Sequence, residues 1–175
     1  MRFWHWIFLC FTVVCLSSCG FQLRGSAPLS PPLKILYIQT ADPYGQLTRN
    51  LRDYLTMSGV ELTDTPSHAS TILHIINETQ SQQLLSVSGT QQTRQYSLVL
   101  AVTFEILNPK GSVLMPPTTL SENRTFTTLS DQILGGTNEQ NTLYQQMRIA
   151  IIYDIMSRLS SREVTKMLME PKKHP

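Results

Sequence analysis

The chain has 175 residues, 41% hydrophobic and 15% charged, with 14 Lys plus Arg against 12 Asp plus Glu and a net charge of +2. A chain of this length suits one domain, which buries about 70% of its unfolded surface and needs no disulfide or metal staple. The near balance of charge excludes a strongly basic nucleic-acid binder and an acidic disordered tail.

Residues 1–18 read as a signal rather than as fold. Arg2 supplies a positive start, and residues 3–16 are largely apolar with no Asp, Glu, Lys or Arg. That run is short for a transmembrane helix, which needs about 20 apolar residues, but it fits a secretory h-region. It ends in Leu16-Ser17-Ser18-Cys19, the lipobox pattern of bacterial lipoproteins. Cleavage before Cys19 is expected, with a diacylglycerol on its sulfur and an acyl chain on its nitrogen. Cys10 and Cys15 would leave with the signal, so the mature chain has no disulfide or Cys metal site to form. Two or three acyl chains give stable membrane attachment where one does not. Gly20, rather than Asp, follows the Cys and favours the outer membrane, facing the periplasm.

Residues 19–32 are expected to be a lipidated N-terminus and tether, extended where Pro28, Pro31 and Pro32 crowd together. Residues 33–39 predict a strand with apolar groups on both faces, hence an inner place in a sheet. A helix should follow, with Asp42 as N-cap and Pro43 at its first position. Leu47, Leu51, Tyr54 and Leu55 form its buried stripe, and Gly59 its stop.

Residues 71–76 are β-rich, and a polar stretch at 77–83 leads to Leu84, Leu85 and Val87. Ser88-Gly89-Thr90 reads as a turn. The clearest strand is 96–107, where Tyr96, Leu98, Leu100, Val102, Phe104 and Ile106 occupy one face at period two. Asn108-Pro109-Lys110-Gly111 is a second turn, and 120–129 a Thr-rich strand of poor alternation. The last helix should open with a capping box, Thr137 with Gln140, and continue through Leu143, Met147, Ile151, Ile155 and Leu159. Met147 and Met156 read as core rather than as a cofactor box.

This order, strand, helix, three strands, helix, predicts an α+β two-layer sandwich: two helices packed on one face of a four-stranded sheet. The domain should occupy residues 33–169, and 170–175 a disordered tail.

No catalytic constellation is apparent. The sequence lacks G-x-S-x-G, P-loop, G-x-G-x-x-G and H-E-x-x-H patterns. His68, His74 and His174 are the histidines after the signal, and none pairs with Asp, Glu or Cys at metal-ligand spacing. His74 among aliphatic neighbours reads as a satisfied strand histidine. An enzyme is not expected, nor a metal, nor any cofactor beyond the covalent lipid on Cys19. Nucleic acid is not an expected partner, since the basic residues are scattered.

The segment Cys19-Gly20-Phe21-Gln22-Leu23-Arg24-Gly25 resembles the opening of mature LPS-assembly lipoproteins, the LptE (RlpB) family. Asp42-Pro43 with Leu47 and Arg49, and the run Ser58-Gly59-Val60-Glu61-Leu62, resemble the start and exit of that family's first helix. Gly89, Gln92 and Tyr96 resemble its turn into the long strand. Asn138-Glu139-Gln140, Met147 and Arg158-Leu159 resemble its last helix. The resemblance implies two helices on a four-stranded sheet. It also implies a place inside the outer-membrane β-barrel LptD, as plug and assembly factor, in lipopolysaccharide transport to the outer leaflet. The 17 Ser, 19 Thr and 13 Gln of the chain would suit a polar barrel lumen.

Some family members carry basic residues in the turn before the long strand and the loop before the last helix. Here those places hold Ser88-Gly89 and Gly135-Gly136. Arg94 and Arg124 are the nearest cations and carry two readings, contact with a lipopolysaccharide phosphate or partner, or solvated strand charge. The competing reading of the whole chain is another outer-membrane lipoprotein, a barrel-assembly accessory or a peptidoglycan-binding module. A periplasmic enzyme stands third.

Overall fold

The computed structural model describes residues 29–89, 93–129 and 133–169, with the side chains of 133–136 excepted. Five strands form one sheet: β1 (Ile35–Thr40), β2 (Glu61–Leu62), β3 (Thr71–Val87), β4 (Thr93–Leu107) and β5 (Val113–Leu129). Their spatial order is β2-β1-β3-β4-β5. The helices are α1 (Gln46–Met57), α2 (Ile133–Leu159) and α3 (Arg162–Met169). Among the described residues the expected four strands are thus five, and the expected two helices three. Glu61 and Leu62 form the extra edge strand by pairing in parallel with Ile35 and Leu36. Two residues are too few for any periodicity to announce. After Ser160, Ser161 accepts from the Val164 amide through its hydroxyl at 3.2 Å, capping α3, and Val164 and Leu168 dock it on the core.

The inner position of β1 holds: it runs parallel to both β2 and β3. The period-two face of β4 also holds, since Leu98, Leu100, Val102, Phe104 and Ile106 are fully buried. They share one core with Leu47, Leu51 and Leu55 of α1 and Met147, Ile151 and Ile155 of α2, so both helices cover that face. Met147 is core, as read, and Met156 packs at its margin. Tyr54 of α1 donates to the Tyr153 hydroxyl of α2 at 3.1 Å, with ring centroids 5.1 Å apart edge to face. That hydrogen bond, more than burial, holds the Tyr54 phenol above its ordinary value.

Local punctuation differs from expectation at two helix starts. The segment Asp42-Pro43-Tyr44-Gly45 closes a turn, with the Gly45 amide donating to the Asp42 carbonyl at 3.3 Å. The N-cap is therefore Gly45 rather than Asp42, and Pro43 lies in the turn. A Cβ on Gly45 would run into the Asp42 carboxylate. The helix exit matches expectation: Gly59 has φ +81°, its amide donates to Thr56 and that of Val60 to Leu55, both at 3.0 Å, a Schellman closure. In α2 the helix begins at Ile133, so Thr137 lies inside it rather than at its N-cap. Gln140 instead donates to Gln82 of β3 at 3.0 Å. Gly135 and Gly136 are helical rather than loop.

The polar stretch 77–83 is not a connection but the middle of a 17-residue strand. Register shifts at Ile76 and Leu85 are bulges. The first sets Glu78, Gln80 and Gln82 opposite Val102, Leu100 and Leu98, on the helix side. Strands β3 and β5 each have 17 residues and β1 has 6, about 56 Å against 20 Å. The β3–β4–β5 ribbon therefore runs far beyond the parallel strands.

Candidate functional site

The predicted site residues do not converge. Cys19 lies outside the described residues. Arg94 is exposed near the end of the ribbon, between Val87 of β3 and Thr128 of β5. Arg124 stands opposite Leu98, four rungs away and thus about 13 Å along the ribbon. It ion-pairs with Glu122 at 3.3 Å and donates to the Asn123 carbonyl at 3.2 Å.

The ribbon end that carries Arg94 also exposes aliphatic side chains. Leu84, Leu85, Val87 and Leu129 at this end are between 44% and 50% exposed. Leu84 lies opposite Tyr96 and Val87 opposite Arg94, on the helix side of the ribbon. Leu129, opposite Thr93, lies on the other side. Tyr96 stacks on Phe126 with centroids 5.5 Å apart, which stiffens the ribbon just behind its tip. The turn itself begins as expected: the Ser88 amide donates to the Thr93 carbonyl at 2.9 Å, and the Thr93 amide to the Ser88 hydroxyl at 3.1 Å. Exposed aliphatic side chains at a ribbon end that also carries a cation form a surface for an amphiphile or an apolar partner. Sequence reasoning marked Leu84, Leu85 and Val87 only as strand. The signal that could have found the tip is their position after a polar run, far along the chain from the apolar residues of β1 and α1.

A second polar group ties the layers together beside a cleft of ≈390 Å³ between β1, α1, β3 and α2. Arg148 donates to Glu78 and to Gln46, each at 2.9 Å. His74 is satisfied as read, its Nδ1 lying 2.8 Å from Glu105 on the cross-strand neighbour. Among the described residues no group of three or more His, Cys, Asp and Glu is placed to hold a metal ion.

Fold and tip together define a class: a two-layer α+β domain from which a three-stranded ribbon extends to an exposed apolar end. The family follows from comparison. The chain belongs to the LptE family, Lipopolysaccharide-assembly, which it matches over residues 33–159. It is 32% identical over 148 residues to the LPS-assembly lipoprotein LptE of Yersinia enterocolitica, covering 84% of this chain and 70% of that one. With the LPS-assembly lipoprotein LptE of Pectobacterium atrosepticum the identity is 27% over 148 residues, covering 84% and 79%. The fold is that of rare lipoprotein B from Shewanella oneidensis, with a TM-score of 0.66 at 24% identity over 75% of this chain and 98% of that one. Lipoprotein B from Nitrosomonas europaea gives a TM-score of 0.69 at 20% identity over 89% and 99%. The chain is thus a lipopolysaccharide-assembly lipoprotein of the bacterial envelope.

Proposed function

We propose that the protein is held at the outer membrane by lipid on Cys19 and acts without catalysis, as plug and assembly factor of the LptD β-barrel. In that role it takes part in delivering lipopolysaccharide to the outer leaflet. Family membership across residues 33–159 is the observation that carries the reading. The lipobox at Leu16-Ser17-Ser18-Cys19 supports the anchor, and a surface rich in hydroxyl and amide groups suits a polar lumen.

Contact with lipopolysaccharide falls at the ribbon tip. Leu84, Leu85, Val87 and Leu129 offer aliphatic surface to acyl chains, and Arg94 beside them suits a phosphate. Arg124, already matched by Glu122, is the weaker candidate of the two.

The experiment is a tagged purification from detergent-solubilised outer membranes. One large β-barrel recovered at near one-to-one ratio is the expected result. Recovery of the lipidated protein alone would overturn the reading.

A further inference from the structure

β5 is the outermost strand of the sheet, and among the described residues no strand pairs with its outer edge. A long unpaired edge is a template for another strand, and proteins block such edges with proline, lysine or bulges. Here the block stops early. Pro116 and Pro117 stand near the start of β5, and residues 118–128 contain no proline, glycine or lysine. Ser121, Asn123, Arg124, Thr125 and Thr127 in this stretch are exposed.

Residues 118–128 read Thr-Thr-Leu-Ser-Glu-Asn-Arg-Thr-Phe-Thr-Thr. Folded back about Asn123, the stretch matches itself. Thr118 meets Thr128, Thr119 meets Thr127, and Ser121 meets Thr125. Leu120 meets Phe126, apolar on apolar, and Glu122 meets Arg124, anion on cation. Reversal about a central residue is the symmetry of two identical strands paired antiparallel across a two-fold axis.

We propose that residues 118–128 are a self-pairing edge that joins two copies of this chain antiparallel, with Asn123 of one opposite Asn123 of the other. Residues directly opposite in such a pair point to the same face. The Glu122–Arg124 and Leu120–Phe126 pairs therefore each form twice, on the helix side, and the Ser–Thr and Thr119–Thr127 pairs form on the other side. The pair that Glu122 and Arg124 make within one strand, 3.3 Å apart, joins its symmetry mate in a neutral cluster of four charges. The register is selected by charge. A slip by two residues in one sense puts Glu122 on its own copy, and in the other Arg124 on its own copy, and like charges directly opposite destabilise a sheet. The inference concerns the chain apart from any barrel and does not depend on that partnership.

The test uses the full chain, purified in detergent without the barrel. Asn123→Cys sets two sulfurs across the axis, where opposed Cα atoms lie about 4.5–5.5 Å apart, within disulfide reach. Thr127→Cys, equally exposed, would leave its two copies about 27 Å apart. Mild oxidation should give a disulfide dimer from the first and not from the second. In the Asn123→Cys background, Arg124→Glu and Glu122→Arg should each lower dimer yield roughly tenfold. Mixing the two charge variants should restore it as the mixed dimer, because every Glu then faces an Arg. No dimer above the Thr127→Cys level would overturn the proposal. A mixture that behaves like its separate components would do the same.

Discussion

Arg148 of α2 and Glu78 of β3 form an ion pair at 2.9 Å that joins the two layers where the apolar core gives out. Both side chains are largely buried, 13% and 25% exposed, and the second guanidinium contact reaches Gln46 at the start of α1. One planar fork thus holds three elements in register, which a point charge on a flexible stem does less well. Arg148→Ala should destabilise the fold by about 2 kcal/mol, since it leaves Glu78 charged and unpaired. Arg148→Lys should recover part of that loss. Urea unfolding of both variants, in a double-mutant cycle with Glu78→Gln, reads the coupling directly.

Away from that clamp the core is a cluster of buried aliphatic and aromatic side chains. Phe104 is fully buried, lies opposite Ile75 and belongs to the cluster that joins α1 and α2 to the sheet. Phe104→Ala should cost about 3–5 kcal/mol, enough to remove most of the stability of a domain this size. An unchanged urea midpoint would show that this position is not at the centre of the core.

The period-two face of β4 was legible because its inward residues Leu98, Leu100, Val102, Phe104 and Ile106 are all apolar and all fully buried, so burial and sequence keep the same phase. β3 was not, because the bulge at Ile76 shifts that phase. Its helix-facing residues Glu78 and Gln82 are satisfied by Arg148 and Gln140, partners 70 and 58 positions away. Polarity there mimics a loop until the helix is in place. Asp42-Pro43 announced the right neighbourhood for α1, but the Gly45 turn moved the cap three residues on. Gly59 was legible because its left-handed φ of +81° admits few other residues. The tip was half legible. Arg94 could be singled out as a cation, whereas the exposure of Leu84, Leu85, Val87 and Leu129 depends on how far the ribbon outruns β1.

Gly59 offers a local check on the helix exit. With φ +81° and open space around the place a Cβ would take, the penalty of Gly59→Ala is backbone strain rather than a clash. A loss of about 1 kcal/mol is expected. Gly59→Asn, a residue that tolerates the left-handed region, should lose less. Thermal unfolding of the two variants side by side separates strain from any general intolerance at the position.

The anchor is tested at its sulfur. If Cys19 carries the lipid, Cys19→Ser removes the acceptor thiol, and the protein should accumulate unprocessed or leave the membrane fraction. Intact mass measures the change directly, because acyl chains add their own mass to the mature chain and loss of residues 1–18 subtracts a known amount. Unchanged mass and unchanged sedimentation with membranes would end the lipoprotein reading of the N-terminus.

The ribbon tip separates function from stability. Leu84 and Leu85 are half exposed, and Leu85 is the bulged residue between two registers. Replacing both by Ser removes little buried surface, so the urea midpoint should fall by less than about 1 kcal/mol equivalent. If the tip meets lipid acyl chains or a barrel wall, the same variant should lose binding to purified lipopolysaccharide and make the outer membrane leaky to large antibiotics. Arg94→Glu should weaken lipopolysaccharide binding more than Arg94→Gln does, because it opposes a phosphate instead of merely ceasing to meet it. Equal binding by all three variants, with the fold intact, would move the contact away from the tip. The polar cleft beside Arg148 would then be the next surface to probe.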